Sequence, residues 1–585
     1  MSTRLFRRGS DAVLPSLFLL AAAFFLKAAE PADFILRNAK VAIVDERFTL
    51  AEAIAVRGQK IMAVGKNNDI SRLVGPGTRV VEARGRLVIP GLMDSHTHPS
   101  GASLYEFDHP MPEMESIADV LAYIRSRAAV VPEGQWITLS QVFITRLHEQ
   151  RYPTRAELDA AAPKHPVVFR TGPDASVNSL ALRLNKIDRH FQIPDGVPGK
   201  VESDSHGEPT GILRTHGNYF KSGPTGARSP SEADRQARLR ELFRDYNSVG
   251  ITSIGDRDAS PEAIDRYAKL RETGALTVRV SCSHSIGSLG ELAKIQDHIR
   301  NVARHPLAVG GDDWLRVIGI KMYLDGGMLT GSAFMRQPWG VSEIYSITDP
   351  QYRGVLFIPK DRLKPMVRAA VEGGLQFTAH SVGDGAVHTL LECYDELTKA
   401  GLPVRATRPS ITHCNFMSQE AVELAARLGV VVDIQPAWLY LDTRTLTKQF
   451  GYDRLRYFQP LKSIFAAGGV AGGGSDHMQK IGSFRSVNPY NPFLGMQTAI
   501  TRRARWHDGR LHPEEALTRE QALRFYTINN AKVLRKETTT GSLEPGKLAD
   551  LVLLDTDLLT CPEDKIRDTK ALLTMVDGKV VWEAK

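Results

Sequence analysis

Cysteine is scarce: the 585 residues hold four, Cys282, Cys393, Cys414 and Cys561, with no CxxC pair among them. Such scatter excludes a disulfide framework and a zinc ribbon. Cys414 directly follows His413, and neighbouring side chains on a strand face opposite ways, so it reads as buried filler. Concentrated positive charge is missing too. The net charge of +8 comes from 74 basic and 66 acidic residues, and the basic groups are as short as Arg502-Arg503, so no nucleic-acid partner is expected. No Gly-Lys-Ser/Thr follows Gly472-Gly473-Gly474, and the Gly383/Gly385 pair lacks the dinucleotide fingerprint. Phosphate-loop and dinucleotide folds are thereby excluded. There is no short-period repeat and no low-complexity tract.

The apolar stretch at residues 13–26 is 14 residues long, short of the ~20 that span a bilayer. It follows Arg4, Arg7 and Arg8 and leads into Lys27-Ala28-Ala29, the order of an export signal. Residues 1–29 are therefore expected to send the chain to the periplasm or beyond, with no stable membrane insertion after their removal. An uncleaved N-terminal anchor is the alternative. The chain as a whole, 42% hydrophobic and 24% charged, has the composition of a soluble globular enzyme. Its length exceeds one ordinary domain.

Both ends are rich in short strand-like segments. Residues 33–41 and 53–65 read as strands, with Gly58-Gln59 placed for a hairpin turn. Residues 548–554 and 574–582 match them in kind, with Asp577-Gly578 as a turn signal. These ends, 30–87 and 533–585, are expected to form one small β-sandwich. Between them, strand-like and helix-like segments alternate: strand at 315–324, helix at 361–374, strand at 375–379, helix at 388–400, helix at 418–428, strand at 430–434. Such alternation predicts an α/β fold with parallel strands and crossover helices. Its extent, 88–532, and the polar residues at strand ends favour a closed (β/α)8 TIM barrel. Residues 100–235 are too long for one connection and predict an inserted subdomain over the barrel mouth.

Certain polar residues recur where apolar runs end. His96 and His98 are two apart, so on a strand they face one way, with Cα atoms roughly 6.5 Å apart, and both imidazoles can reach one cation. Lys321 lies within Val317-Ile318-Gly319-Ile320-Lys321-Met322-Tyr323-Leu324, where a charge is costly unless paired or removed. It is either in an ion pair, with Asp325 the nearest partner in sequence, or carboxylated by CO2, a reaction of the neutral amine that burial favours. His380 closes Gln376-Phe377-Thr378-Ala379, and His413 closes Ser410-Ile411-Thr412. Asp476, after the three glycines, is either a turn aspartate or a ligand. Tyr323, Trp339 and Trp438 are open to either pocket-lining or core roles.

Taken together, His-x-His, Lys, His, His and Asp at strand ends resemble the amidohydrolase superfamily of metal-dependent barrel hydrolases. Val88-Ile89-Pro90-Gly91-Leu92-Met93-Asp94-Ser95-His96-Thr97-His98 looks like that family's first barrel strand. The stretch from Gly541-Ser542-Leu543-Glu544-Pro545-Gly546 to Val552 looks like its return into the β domain. The long insertion, Gly207-Glu208-Pro209-Thr210-Gly211 and the spacing from Lys321 to Asp325-Gly326 narrow the resemblance to the amidohydrolase 3 branch, similar to the N-substituted formamide deformylases. The resemblance implies that His96, His98 and Asp476 hold one divalent metal, and His380 and His413 another, with carboxylated Lys321 between them. Zn2+, one ion or two, is the expected metal. Two departures concern the surroundings. The relatives carry a histidine five residues before Asn178-Ser179, where this chain has Pro173. A proline often follows soon after the metal aspartate, where this chain has His477-Met478.

The resemblance further implies a hydrolase of carbon–nitrogen bonds in small amides, N-formyl or N-acyl compounds. Water acidified by the cations attacks the carbonyl carbon, and Asp476 passes a proton to the leaving nitrogen. Alternatives with the same site are a cyclic imide, ester or phosphoester substrate, or ring deamination. A non-catalytic binding member of the fold is disfavoured because all six positions are filled. Homodimerisation is open.

Overall fold

The computed structural model describes residues 30–585; the export-signal reading of residues 1–29 lies outside them. Eight strands form one sheet in strict chain order, every neighbouring pair parallel. They are β1 (Leu92–Thr97), β2 (Ile251–Ala259), β3 (Arg279–Ser285), β4 (Leu315–Tyr323), β5 (Gln376–Ser381), β6 (Ser410–His413), β7 (Val431–Ile434) and β8 (Val470–Gly473). Helices follow the later strands, Lys360–Glu372, Asp384–Lys399 and Gln419–Leu428 among them. Their apolar faces join the strands in one continuous core, which makes the fold an α/β barrel.

The barrel closes at its C-terminal rim. Asp476 N donates to His96 O at 2.8 Å, and His98 N donates to His477 O at 2.8 Å. Lower down, where β8 and β1 diverge, the buried Asn530 side chain donates to both Met93 O and Gly473 O. An amide side chain thus replaces ladder bonds that the two edges cannot make directly.

β4 and β5 approach closely at Gly319, paired with Gln376. A Cβ at 319 would stand 1.9 Å from the Gln376 carbonyl oxygen, and backbone cannot move aside as a side chain end can. Gly319→Ala is expected to cost about 1–3 kcal/mol of stability through overpacking, read as a lower urea midpoint with an unchanged slope.

The terminal segments form two sheets beneath the barrel. One, of four strands, runs Lys60–Gly65, Ala53–Arg57, Phe34–Arg37, Arg79–Glu82. The other, of six, places Leu87–Pro90 between Leu551–Leu554 and Lys40–Ala42, so both ends of the chain share it. The 88–98 run is therefore two strands rather than one. Leu87–Pro90 belongs to the terminal sheet, and the barrel strand starts at Leu92, after Gly91 N has donated to Asp550 O. Arg279, fully buried on β3, ties the two layers through Asp550 and Asp577 at 2.7 and 2.9 Å.

Residues 100–235 carry a five-stranded sheet ordered Lys200–Ser203, Pro209–Arg214, Asp174–Val177, Val167–Thr171, Ile137–Leu139. Arg214 anchors it. Its buried guanidinium pairs with Asp174 and donates to the carbonyls of Thr330 and Tyr345 in the loop after β4. The insertion thereby sits over the C-terminal ends of the barrel strands.

Candidate metal centre

β1 carries His96 on its last turn of pleat, and His98 follows just beyond it. Their Nε2 atoms are 3.2 Å apart, and Asp476 Oδ1 lies 3.3 Å from the first and 3.1 Å from the second. Asp476 owes its position to a left-handed backbone, φ +56°, uncommon for a residue other than glycine and often found at functional positions. Gly474 permits the approach, because a Cβ there would meet the His96 Cβ at 2.8 Å. His413 also has a left-handed backbone, φ +80°. Its ring stacks on that of His96 at 4.8 Å and meets His380 edge to face at 4.5 Å.

Hydrogen bonds fix the tautomers. His96 Nδ1 faces Asp433 Oδ1 at 3.0 Å; the carboxylate only accepts, so Nδ1 carries the hydrogen and Nε2 the lone pair. Gln435 donates from Nε2 to Asp433 Oδ1 at 3.0 Å and presents Oε1 to His413 Nδ1 at 2.8 Å. His413 Nε2 is therefore a lone-pair atom as well. His380 Nε2 donates to Gly326 O at 3.3 Å, which leaves Nδ1 as its lone-pair atom. Burial pulls all three imidazoles below their ordinary range, His380 to about 3. Burial also opposes protonation of His98, but Asp476 outweighs it and the pKa rises. The Nε2 atoms of two imidazoles and a carboxylate oxygen lying within about 3.3 Å of one another are a donor set that suits a first-row divalent cation, which would displace any proton from them. The second nitrogen of His96 is tied back to Asp433, and that of His413 to Gln435, as is usual for metal-binding histidines.

Lys321 is buried beside them on β4, in register with Thr378 of β5. Burial lowers its pKa, which favours the neutral amine. The ion pair with Asp325 does not form. Asp325 instead accepts backbone N–H bonds from Phe334, Val382 and Gly383, while the Lys321 amine lies over the Tyr323 ring, 4.9 Å from its centroid. The cause is prior engagement: beyond the end of β4 the chain turns, and those three N–H groups hold the Asp325 carboxylate, which borders the same cavity 3.9 Å from His380 Nε2.

His96, His98, Lys321, His380, His413 and Asp476 all line one cavity of about 440 Å³ at the barrel mouth. Tyr323, Trp438 and Met478 are in its wall, as are Gly172 and Pro173 from the insertion. Trp339 is not; it is buried against Tyr345 and Phe450 under the insertion. Nor is His477, whose Nδ1 accepts from the Tyr246 hydroxyl at 2.7 Å while Nε2 donates to Gln479 O and Lys480 O. Four residues escaped sequence reasoning: Asp433, Gln435, Arg257 and Asp258. Arg257 on β2 is fully buried and reaches Asp433 at 3.3 Å, and Asp258 accepts from the Tyr323 hydroxyl at 3.0 Å at the cavity wall. For Asp433 the signal was present, an acid inside Val430-Val431-Val432-Asp433-Ile434.

Comparison with known proteins agrees with this architecture. An N-substituted formamide deformylase of Arthrobacter pascens is 28% identical over 566 residues, covering 94% of this chain and 98% of the relative. A metal-dependent hydrolase of Pyrococcus horikoshii, itself uncharacterised, shares the fold with a TM-score of 0.63 at 19% identity, over 91% of this chain and 99% of its own. A second, from Pyrococcus furiosus, gives 0.62 at 20% identity, over 90% and 100%. Residues 79–582 match the model of the amidohydrolase family, and with that span matched the chain belongs to this family.

Proposed function

We propose that the protein hydrolyses a carbon–nitrogen bond of a small amide, N-formyl or N-acyl compound at this centre. The observation that carries the reading is the convergence of His96, His98 and Asp476 within about 3.3 Å at the floor of a covered cavity. These three would hold one divalent cation, Zn2+ by its donor set; His380, His413 and a carboxylated Lys321 would hold a second. Such ions supply an acidified water and a polarised carbonyl.

The chain's own groups do the rest. Asp476 takes a proton from the attacking water and returns it to the leaving nitrogen, which departs as an amine beside a carboxylic acid. Asp433 and Gln435 hold the His96 and His413 rings in their required tautomers. The insertion covers the cavity and limits the access of bulk water. The Arthrobacter relative makes N-formyl amines the first compounds to test, followed by N-acyl amines.

The purified protein is expected to contain one or two equivalents of divalent metal by elemental analysis. Chelation should abolish hydrolysis, and added zinc should restore it; bicarbonate should aid recovery where Lys321 is carboxylated. Full activity in protein stripped of metal would overturn the reading.

A further inference from the structure

A second cavity, of about 580 Å³, adjoins the metal pocket. The two share Gln141, Gly172, Pro173, Tyr323 and Phe357 in their walls, so one elongated molecule can occupy both. The second cavity lies between the insertion and the loop after β3, and apart from Arg170 its walls are apolar or neutral, Ile286, Leu289 and Phe357 among them.

Arg170 is half-buried on Val167–Thr171, two residues before the hairpin tip Gly172-Pro173 that lines both cavities. At ~3.3 Å per residue the two lie roughly 7 Å apart along the strand. Its Nη2 donates to Ser222 Oγ at 2.7 Å, and its Nε is buried without an acceptor. Among the described residues no carboxylate lies within ion-pair distance of it. The more deeply buried Arg146, Arg214, Arg257 and Arg279 have one, in Asp442, Asp174, Asp433 and Asp550, whereas Arg316 on β4 and the fully buried Arg502 donate to backbone carbonyls alone. A buried cation without a counter-charge is costly, and Arg170, unlike Arg316 and Arg502, stands in the wall of a cavity that a ligand can enter. Arg170 is thus a preformed cation, short of an anion, facing a cavity that communicates with the metal pocket.

We propose that this cavity is a carboxylate subsite, and that the substrate is an N-acyl compound carrying a carboxylate that pairs with Arg170 while its C–N bond lies at the metal centre. The inference rests on the hydrolase reading above and adds the substrate's charge. With Nη2 held by Ser222, a single guanidinium is matched to one negative charge, which favours a carboxylate over a doubly charged phosphate ester. Ile286, Leu289 and Phe357 suit an apolar group beside it, as in an N-acylated amino acid with an apolar side chain.

The test uses N-acetylphenylalanine, each enantiomer separately, against N-acetyl-2-phenylethylamine, which differs only in lacking the carboxylate. With the metal-loaded wild-type protein, kcat/KM for the better enantiomer is expected to exceed that for the neutral amide by about tenfold to a hundredfold, the range for a charge-assisted hydrogen bond. Arg170→Met should remove that preference by raising KM, and leave the neutral compound within about twofold, which also shows that the variant is folded. Arg170→Lys should recover part of it. Equal losses for both compounds, or no wild-type preference, would overturn the subsite. Should neither compound be hydrolysed, the same pair is titrated by calorimetry. Tighter wild-type binding of the acid, lost in Arg170→Met, would sustain the subsite while the choice of scissile bond falls; equal or undetectable binding of both would overturn the subsite.

Discussion

Asp476→Asn is expected to lower turnover by about 10³-fold, within the range for loss of a general acid–base, while the protein stays folded. Three features separate the chemical effect from a structural one. The residue's backbone is left-handed, a conformation asparagine tolerates better than most residues. Its two anchoring contacts, N to His96 O and O from Asn488 Nδ2, are made by backbone atoms the substitution leaves alone. The amide also keeps an oxygen that can face His96 and His98, so the metal content should fall less than the rate. What disappears is the capacity to accept a proton and give it back. Rates for an N-formyl amine, circular dichroism and elemental analysis on the same preparation check this. Turnover intact with unchanged metal would show that another group moves the proton, and Asp258 at the cavity wall would be the next to replace.

Much of this centre was legible because strand geometry is simple. A period of two puts His96 and His98 on one side, and a polar residue ending an apolar run marks the rim of a parallel barrel, which is how Lys321, His380 and His413 stood out. The alternation of segments gave the barrel, and the strand-rich ends gave the terminal sheets. Legibility stopped where position depends on three dimensions. The run through Pro90 and Gly91 reads as one strand, yet it changes sheets, because Leu87–Pro90 finds its partners more than 450 residues away in sequence, at Leu551–Leu554. Asp325 is four residues from Lys321 and was a natural ion-pair partner, but the backbone turns and gives it to three N–H groups instead. Asp433 bore the same mark as Lys321, a charge within an apolar run; its meaning emerges only when β7 is seen beside β6 and across from β1. Arg170 was invisible for a different reason. An arginine on a strand is ordinary until that strand is seen to border a cavity joined to the metal pocket.

Asp433→Leu should affect both stability and metal binding, because that carboxylate serves four buried partners, Thr412 among them. On one side it accepts from His96 Nδ1 at 3.0 Å and from Gln435 Nε2 at 3.0 Å; on the other, Arg257 Nε lies 3.3 Å away with both side chains fully buried. Arg257 keeps neutral acceptors, Ser95 O, Ser283 Oγ and Gln376 Oε1, but none carries a charge. Leaving the guanidinium uncompensated inside the barrel is expected to cost about 3–5 kcal/mol, the range for breaking one half of a buried pair. The second effect is on His96, which loses the partner that sets its tautomer and angle, and on Gln435, which keeps its bond to His413 but loses its own anchor; loss of such outer partners weakens metal affinity by about 10–100-fold. The two effects can be separated by Asp433→Asn. Its amide oxygen can still accept from His96 while the negative charge is gone, so stability should fall nearly as far as in Asp433→Leu, whereas metal affinity, titrated with a competing chelator, should be better preserved. If both variants retained wild-type stability and metal affinity, the carboxylate would be a spectator, and the tautomer of His96 would have to be fixed by something other than β7.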